Sequence, residues 1–208
     1  MTDYYPVNLR LEGQPCLVVG GGPVAARKVA GLTAVGARVT VVAPEIVAEL
    51  TGAEGVTCEH RPYRSGEVAG YRLAITATGD PAVDGQVYAD GEAHGVWVNS
   101  ADDPARCRFI LPAVVRQGPL LATFSTSGTS PALASWLRRR YAAELGPEYL
   151  TLLGLLTDER SRLRDQGLPT EGLDWQPALD SGMLELIREG HLAEAKERLE
   201  ACLSSSSG

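Results

Sequence analysis

Three short stretches of this chain hold residue types that chemistry can use. The first is Gly20-Gly21-Gly22-Pro23-Val24, a glycine turn set between an apolar run and an alanine-rich one. With Ala25 it has the G-x-G-x-x-A form of a dinucleotide-binding turn. Gly20 permits the tight bend, Gly22 lets backbone N–H groups approach a pyrophosphate, and Ala25 allows close helix–strand packing. The second stretch is Asn99-Ser100-Ala101-Asp102-Asp103-Pro104. Two adjacent carboxylates in different surroundings can differ in proton affinity, so that one serves as a proton acceptor; Asp-Asp-Pro is equally ordinary turn chemistry. The third is Ser125-Thr126-Ser127-Gly128-Thr129-Ser130-Pro131, five hydroxyls around a glycine at the opening of a helix. A cap needs only Ser130, so the surplus points to contact with an anionic ligand.

The elements needed to position these residues are legible in the hydropathy pattern. Cys16 to Val19 predicts a short buried strand, Val24 to Val35 a helix closed by Gly36, and Val39 to Ala43 a second strand ending at Pro44. That makes a complete βαβ unit of about 30 residues. Val56 to Arg61 alternates like an edge strand, Leu73 to Thr78 reads as fully buried, Val83 to His94 as a helix and Val96 to Asn99 as a fifth strand. Small residues at Thr76-Ala77-Thr78, like Ala43-Pro44, suit a strand end that borders a cofactor crevice; a plain strand-to-turn junction would look the same. Strands alternating with helices predict a doubly wound parallel sheet, α/β and Rossmann-like. Tyr4, Tyr5, Val7 and Leu9 are expected as an extended segment laid on that sheet.

From residue 109 the pattern changes. Two runs about Gly118-Pro119 predict an antiparallel hairpin, and Leu133, Trp136, Leu137, Tyr141 and Leu145 form an apolar stripe on the helix that follows. This small α+β region is too small to bury itself and invites pairing with a second copy, although Trp136 and Tyr141 could equally pack inside one chain. The remainder reads as helices at 148–166, 175–189 and 191–203, with Ser204 to Gly208 as a disordered serine-rich end. The expected organisation is a nucleotide-binding domain over 1–112, a dimerisation region over 113–145 and a helical C-terminal domain over 146–208.

Composition narrows the function. Residues 1–145 carry 13 basic and 14 acidic groups and residues 146–208 carry 6 and 12, so no basic field for nucleic acid exists. No run approaches the ~20 apolar residues of a membrane span. The first residues lack a signal-peptide pattern, and a cytoplasmic protein is expected. The four cysteines and three histidines are scattered, which argues for free thiols and against a metal site. Glu45, past Pro44, is the nearest acid to the second strand's end; with no arginine cluster there, NAD is favoured over NADP. Arg106, Arg108, Arg116 and Arg138-Arg139-Arg140 read singly as surface charges and jointly suit a substrate with several carboxylates.

The glycine turn with Arg27-Lys28, Val42-Ala43-Pro44, Asn99-x-x-Asp102, Phe109-Ile110-Leu111-Pro112 and Ser125-Thr126-x-Gly128-Thr129-Ser130-Pro131 resemble, in order and spacing over about residues 3–145, the siroheme synthase N-terminal module. This is the precorrin-2 dehydrogenase/sirohydrochlorin ferrochelatase family. The resemblance implies NAD-dependent oxidation of precorrin-2 to sirohydrochlorin, a homodimer, and a tetrapyrrole in the cleft between cofactor domain and partner. It also implies a key aspartate at Asp102, with Asp103 a bystander, and substrate contacts from Asn99 and from Ser125 to Ser130. Iron insertion, with Fe2+ as substrate, belongs to some members only. The hydroxyl loop departs from the family, with Thr126 in place of a serine and Ser127 in place of a glycine. The chain is also too short for the methyltransferase domain that some members carry. A rival from the residues alone is a non-catalytic NAD-sensing module with a partner-binding helical tail, which leaves Asp102 and the hydroxyl loop without work. A small-acid oxidoreductase would need a His–Asp pair or a catalytic Lys or Tyr, and none is suitably placed.

Overall fold

A computed structural model describes residues 4–168 and 173–205. They fall into two compact units, divided between Leu111 and Pro112. The first is built on β1 (Pro15–Val19), β2 (Arg38–Ala43), β3 (Val56–His60), β4 (Leu73–Thr76) and β5 (Trp97–Ser100), all parallel, in the order β3-β2-β1-β4-β5. The order reverses at β1, so the ends of β1 and β4 flank a topological switch point, where ligands bind in open α/β sheets. Cys16 to Val19 lie buried because β1 is central and covered on both faces, which is why the run shows no alternation.

Helix α1 (Pro23–Thr33) starts at Pro23 and buries Ala25, Ala26, Val29 and Leu32, a spacing that keeps one stripe on the sheet. It packs on Cys16, Val18, Val39, Val41 and Ile75. Helix α2 (Pro81–His94) covers the opposite face, with Val87 against Leu17, Val19, Ala74 and Val98. Asp80 caps it by accepting from the Ala82 N–H at 2.9 Å, and Gly95, at φ 69°, ends it. The sheet is thus doubly wound, as its alternating pattern predicts. The β3–β4 connection has no helix. Asp90 of α2 secures it instead, accepting from the Gly66 N–H at 2.7 Å, the Tyr63 hydroxyl at 2.8 Å and the Gln86 amide at 2.9 Å.

The second unit opens with an antiparallel hairpin, β6 (Ala113–Gln117) and β7 (Leu120–Phe124), turned at Gly118. Helix α3 (Pro131–Glu144) packs on it, with the Tyr141 and Phe124 rings stacked at 5.0 Å. Helices α4 (Glu148–Asp165), α5 (Gln176–Leu179), α6 (Met183–Arg188) and α7 (Leu192–Ser205) follow, around Leu163, Ala178, Met183 and Leu199.

Several sequence expectations need correction. Tyr4 to Arg10 are exposed and join no strand, and Leu11 is the first buried side chain among the described residues. The helix expected over 175–189 is broken at Gly182, which adopts φ 86° and lets the chain turn between α5 and α6. Ser204 and Ser205 continue α7 rather than the loose end, while 206–208 and Pro169 lie outside the described residues. Among the described residues no helix is long and apolar enough to cross a membrane.

Candidate functional site

The glycine turn is shaped by two close approaches and one opening. Gly20 sits at φ 122°, and a Cβ there would be driven into the Ala77 carbonyl. A Cβ on Gly21 would meet the Glu45 carbonyl, because residues 44–47 fold back over the turn and the Val47 N–H donates to the Gly21 carbonyl at 2.9 Å. Gly22 faces open space. The first two glycines therefore satisfy the protein's own packing, and the third leaves room for something else.

Behind that space stands the start of α1. It has no side-chain cap and no acid in its first turn. The Ala26 N–H bonds the Gly22 carbonyl at 3.0 Å, whereas the N–H groups of Val24 and Ala25 have no intramolecular acceptor among the described residues. Unsatisfied donors and the positive end of the helix dipole at an open glycine cradle fit a pyrophosphate. Pro23, lacking an N–H, costs the site nothing.

The other strand ends divide into free and committed groups. Thr76 and Ser100, register partners on β4 and β5, are buried with unpartnered hydroxyls. Thr78 donates to buried Asp84 at 2.6 Å, and Ala77 closes the turn by its N–H to Val19. The amide of Asn99 donates to the Phe109 carbonyl at 2.8 Å, tying down the segment beside β5. Asp103 caps a short 3₁₀ turn through the Ala105 N–H at 3.0 Å and pairs with Arg106 at 3.3 Å. Asp102 is exposed and makes no hydrogen bond or ion pair among the described residues. Of the two adjacent aspartates, only Asp102 is available for chemistry.

Lys28, on α1, belongs to the motif that carries the resemblance, which gives it no role at the site. Burial lowers its ammonium pKa, Arg27 lowers it further, and Cys107 and Asp102 act in the other direction. Lys28 is thus in electrostatic range of Asp102. The Cys107 thiol, raised by burial, donates to the Ser100 carbonyl at 3.2 Å. Periodicity placed Lys28 on a helix but could not show which loop that helix faces.

In the second unit the hydroxyl loop is largely occupied with its own backbone. Ser125 accepts from the Ser127 N–H at 3.1 Å, Thr126 from the Ser130 N–H at 2.9 Å, and Ser130 from the Leu133 N–H at 3.3 Å. Ser127 takes φ 53°, and Gly128 follows at 82°. Three of the five hydroxyls thus build the loop and cap, leaving Ser127 and Thr129 exposed. The arginines divide as well. Arg106 donates to the Pro81 carbonyl at 2.6 Å, Arg108 pairs with Glu92, and Arg140 pairs with Glu144 at 3.2 Å. Arg116, Arg138 and Arg139 are exposed, with no hydrogen-bond or ion-pair partner among the described residues.

Sheet order, switch point and uncapped glycine cradle define a dinucleotide-binding α/β protein of the Rossmann type. A family model described as "Putative NAD(P)-binding" matches residues 7–113, and the chain belongs to that family. Its cofactor is a pyridine nucleotide. The chain is 38% identical over 206 residues to a siroheme synthase of Nitrosococcus oceani, a match covering 97% of this chain and 44% of that protein. It is 36% identical to the siroheme synthase of Methylococcus capsulatus, covering 95% and 43%. The chain therefore spans less than half the length of these relatives. A solved structure titled "SirC, precorrin-2 dehydrogenase" superposes with a TM-score of 0.68 at 24% identity, covering 98% of this chain and 99% of that one. At that identity the likeness bears on the fold, and it extends through the helical region.

Proposed function

We propose that this chain catalyses the NAD-dependent dehydrogenation of precorrin-2 to sirohydrochlorin. The observation that carries the reading is an unpartnered carboxylate, Asp102, just beyond the β5 end of a sheet whose switch point holds an open nucleotide cradle. Likeness to siroheme synthases over nearly the whole chain supports the substrate class.

Gly20 to Val24 and the start of α1 hold the pyrophosphate, with Ala43-Pro44 and Thr76-Ala77-Thr78 bounding the crevice. NAD supplies the two-electron acceptor that the oxidation of a reduced macrocycle requires. Asp102 accepts the proton that leaves the macrocycle, with Lys28 of α1 in electrostatic range of it. Asn99 acts by positioning, since its amide is spent on Phe109. Within the second unit, exposed Ser127 and Thr129 and the guanidiniums of Arg116, Arg138 and Arg139 have the chemistry to bind carboxylates, which arginine matches bidentately.

The enzyme works as a homodimer in the cytoplasm. Leu133, Trp136 and Tyr141 are 47%, 48% and 38% exposed on α3, an apolar face that a second copy covers. Fe2+ is the metal substrate of a second activity at Asp102, where the carboxylate helps remove the two pyrrole protons, taking one while the other passes to solvent as iron enters.

The purified chain, incubated with precorrin-2 and NAD, is expected to generate sirohydrochlorin absorbance in step with reduced nucleotide. Bound nucleotide without product would overturn the dehydrogenase reading and leave the sensing module in its place. Supplying sirohydrochlorin and Fe2+ without NAD tests chelation on its own.

A further inference from the structure

The carboxyl end of β2 lacks the acid that dinucleotide folds place there to bond the ribose 2′-hydroxyl. Ala43 is buried, and the chain turns at Pro44. Beside it β3 ends at His60, the register partner of Ala43, and the next N–H, that of Arg61, donates to the Ala43 carbonyl at 3.1 Å. Arg61 therefore starts from the strand end at which an arginine accommodates the 2′-phosphate of NADP.

Its guanidinium is already engaged. Glu67 takes it bidentately, with Nη2 on Oε2 at 2.6 Å and Nη1 on Oε1 at 3.1 Å. Glu59 takes Nη2 as well, and the Pro62 carbonyl accepts from Nη1 at 3.0 Å. The Arg64 N–H fixes Glu67 in turn at 2.7 Å. Burial pushes the Glu67 carboxyl up, but Arg61 and that N–H hold it below its ordinary value, so it stays charged. With Arg64 also acting on Glu67, the two carboxylates and two guanidiniums of this corner balance, which leaves no surplus positive charge for a further phosphate. A dianionic 2′-phosphate would meet an arginine with its fork occupied, while a 2′-hydroxyl would meet carboxylates that can accept from it.

We infer that the Glu59–Arg61–Glu67 cluster is the specificity element that admits NAD and rejects NADP. The inference rests on the nucleotide lying across the glycine turn. Calorimetric titration of the whole chain with NAD+ and with NADP+ tests it without reference to turnover. The chain as it stands is expected to bind NAD+ at least about tenfold more tightly, or ~1.4 kcal/mol. The Glu59→Gln/Glu67→Gln variant keeps side-chain shape and frees the guanidinium. Its NADP+ affinity is expected to rise about tenfold while NAD+ stays within about threefold. Adding Arg61→Ala should remove the gain.

Circular dichroism checks that the variants fold. Should the double variant unfold, Glu59→Gln alone, at a side chain 40% exposed, is expected to give about a threefold rise. A preference left unmoved in folded variants, or a native preference for NADP+, would overturn the inference while leaving the cofactor site intact. Failure of the native chain to bind either nucleotide would overturn the cofactor site together with it.

Discussion

Helices α1 and α3 both begin with proline after a small-residue turn, yet their first turns are in opposite states. At α1 the preceding residue is Gly22, which borders open space, no side chain caps the helix, and the Val24 and Ala25 N–H groups have no acceptor among the described residues. At α3, Ser130 caps the Leu133 N–H and Thr126 takes the Ser130 N–H, so the donors nearest the turn are already used. The contrast separates a terminus with donors left free from one whose donors are used in its own turn. Both stretches look rich in anion-binding potential; what differs is whether the potential has been spent inside the fold.

The largest effect expected from testing this contrast is at Gly21. Gly21→Ala places a methyl in the Glu45 carbonyl and should cost roughly 3 kcal/mol or more, or prevent folding, as read by thermal melting. Next is Asp102→Ala, expected to lower turnover about 100-fold with NAD+ affinity unchanged, since proton transfer and not nucleotide binding is lost. Gly22→Ala is the sharper probe of the cradle. Its φ of −87° and the open space before it predict a melting temperature close to native, with nucleotide affinity down about tenfold by calorimetry. Ser130→Ala should do the reverse, costing about 1 kcal/mol of stability and leaving nucleotide affinity untouched.

The smallest effect is with pH. Burial pushes the Asp90 carboxyl up, but the Gly66 N–H and the Tyr63 and Gln86 donors hold it below its ordinary value of 3.8. A depressed native pKa gives stability that is fully present above about pH 4 and lost as pH falls through the native value. Asp90→Asn should therefore flatten the acid limb of the stability curve, measured by urea unfolding from pH 5 downward, in a range of roughly 1 kcal/mol.

Much of the first unit was legible because its determinants are local or periodic. The buried run at Cys16 to Val19 and the stripe of α1 each depend on residues within a few positions, as does the Ser130 cap in the second unit. The break at Gly182 was missed because helix propensity over 175–189 outweighs one glycine until packing against α7 is known. Tyr4 to Leu9 were misplaced because apolar character shows preference for a core, not whether the core has room.

Sequence alone determined the alternation of strands and helices, the glycine turn and the candidate carboxylates, since each follows from side-chain type and spacing along one stretch of chain. Tertiary structure decided which groups remain available. It separated Asp102 from Asp103, spent Asn99 on Phe109, and closed Arg61 between Glu59 and Glu67. A residue's availability depends on partners brought in from distant parts of the chain, and hydropathy and spacing carry no record of those meetings.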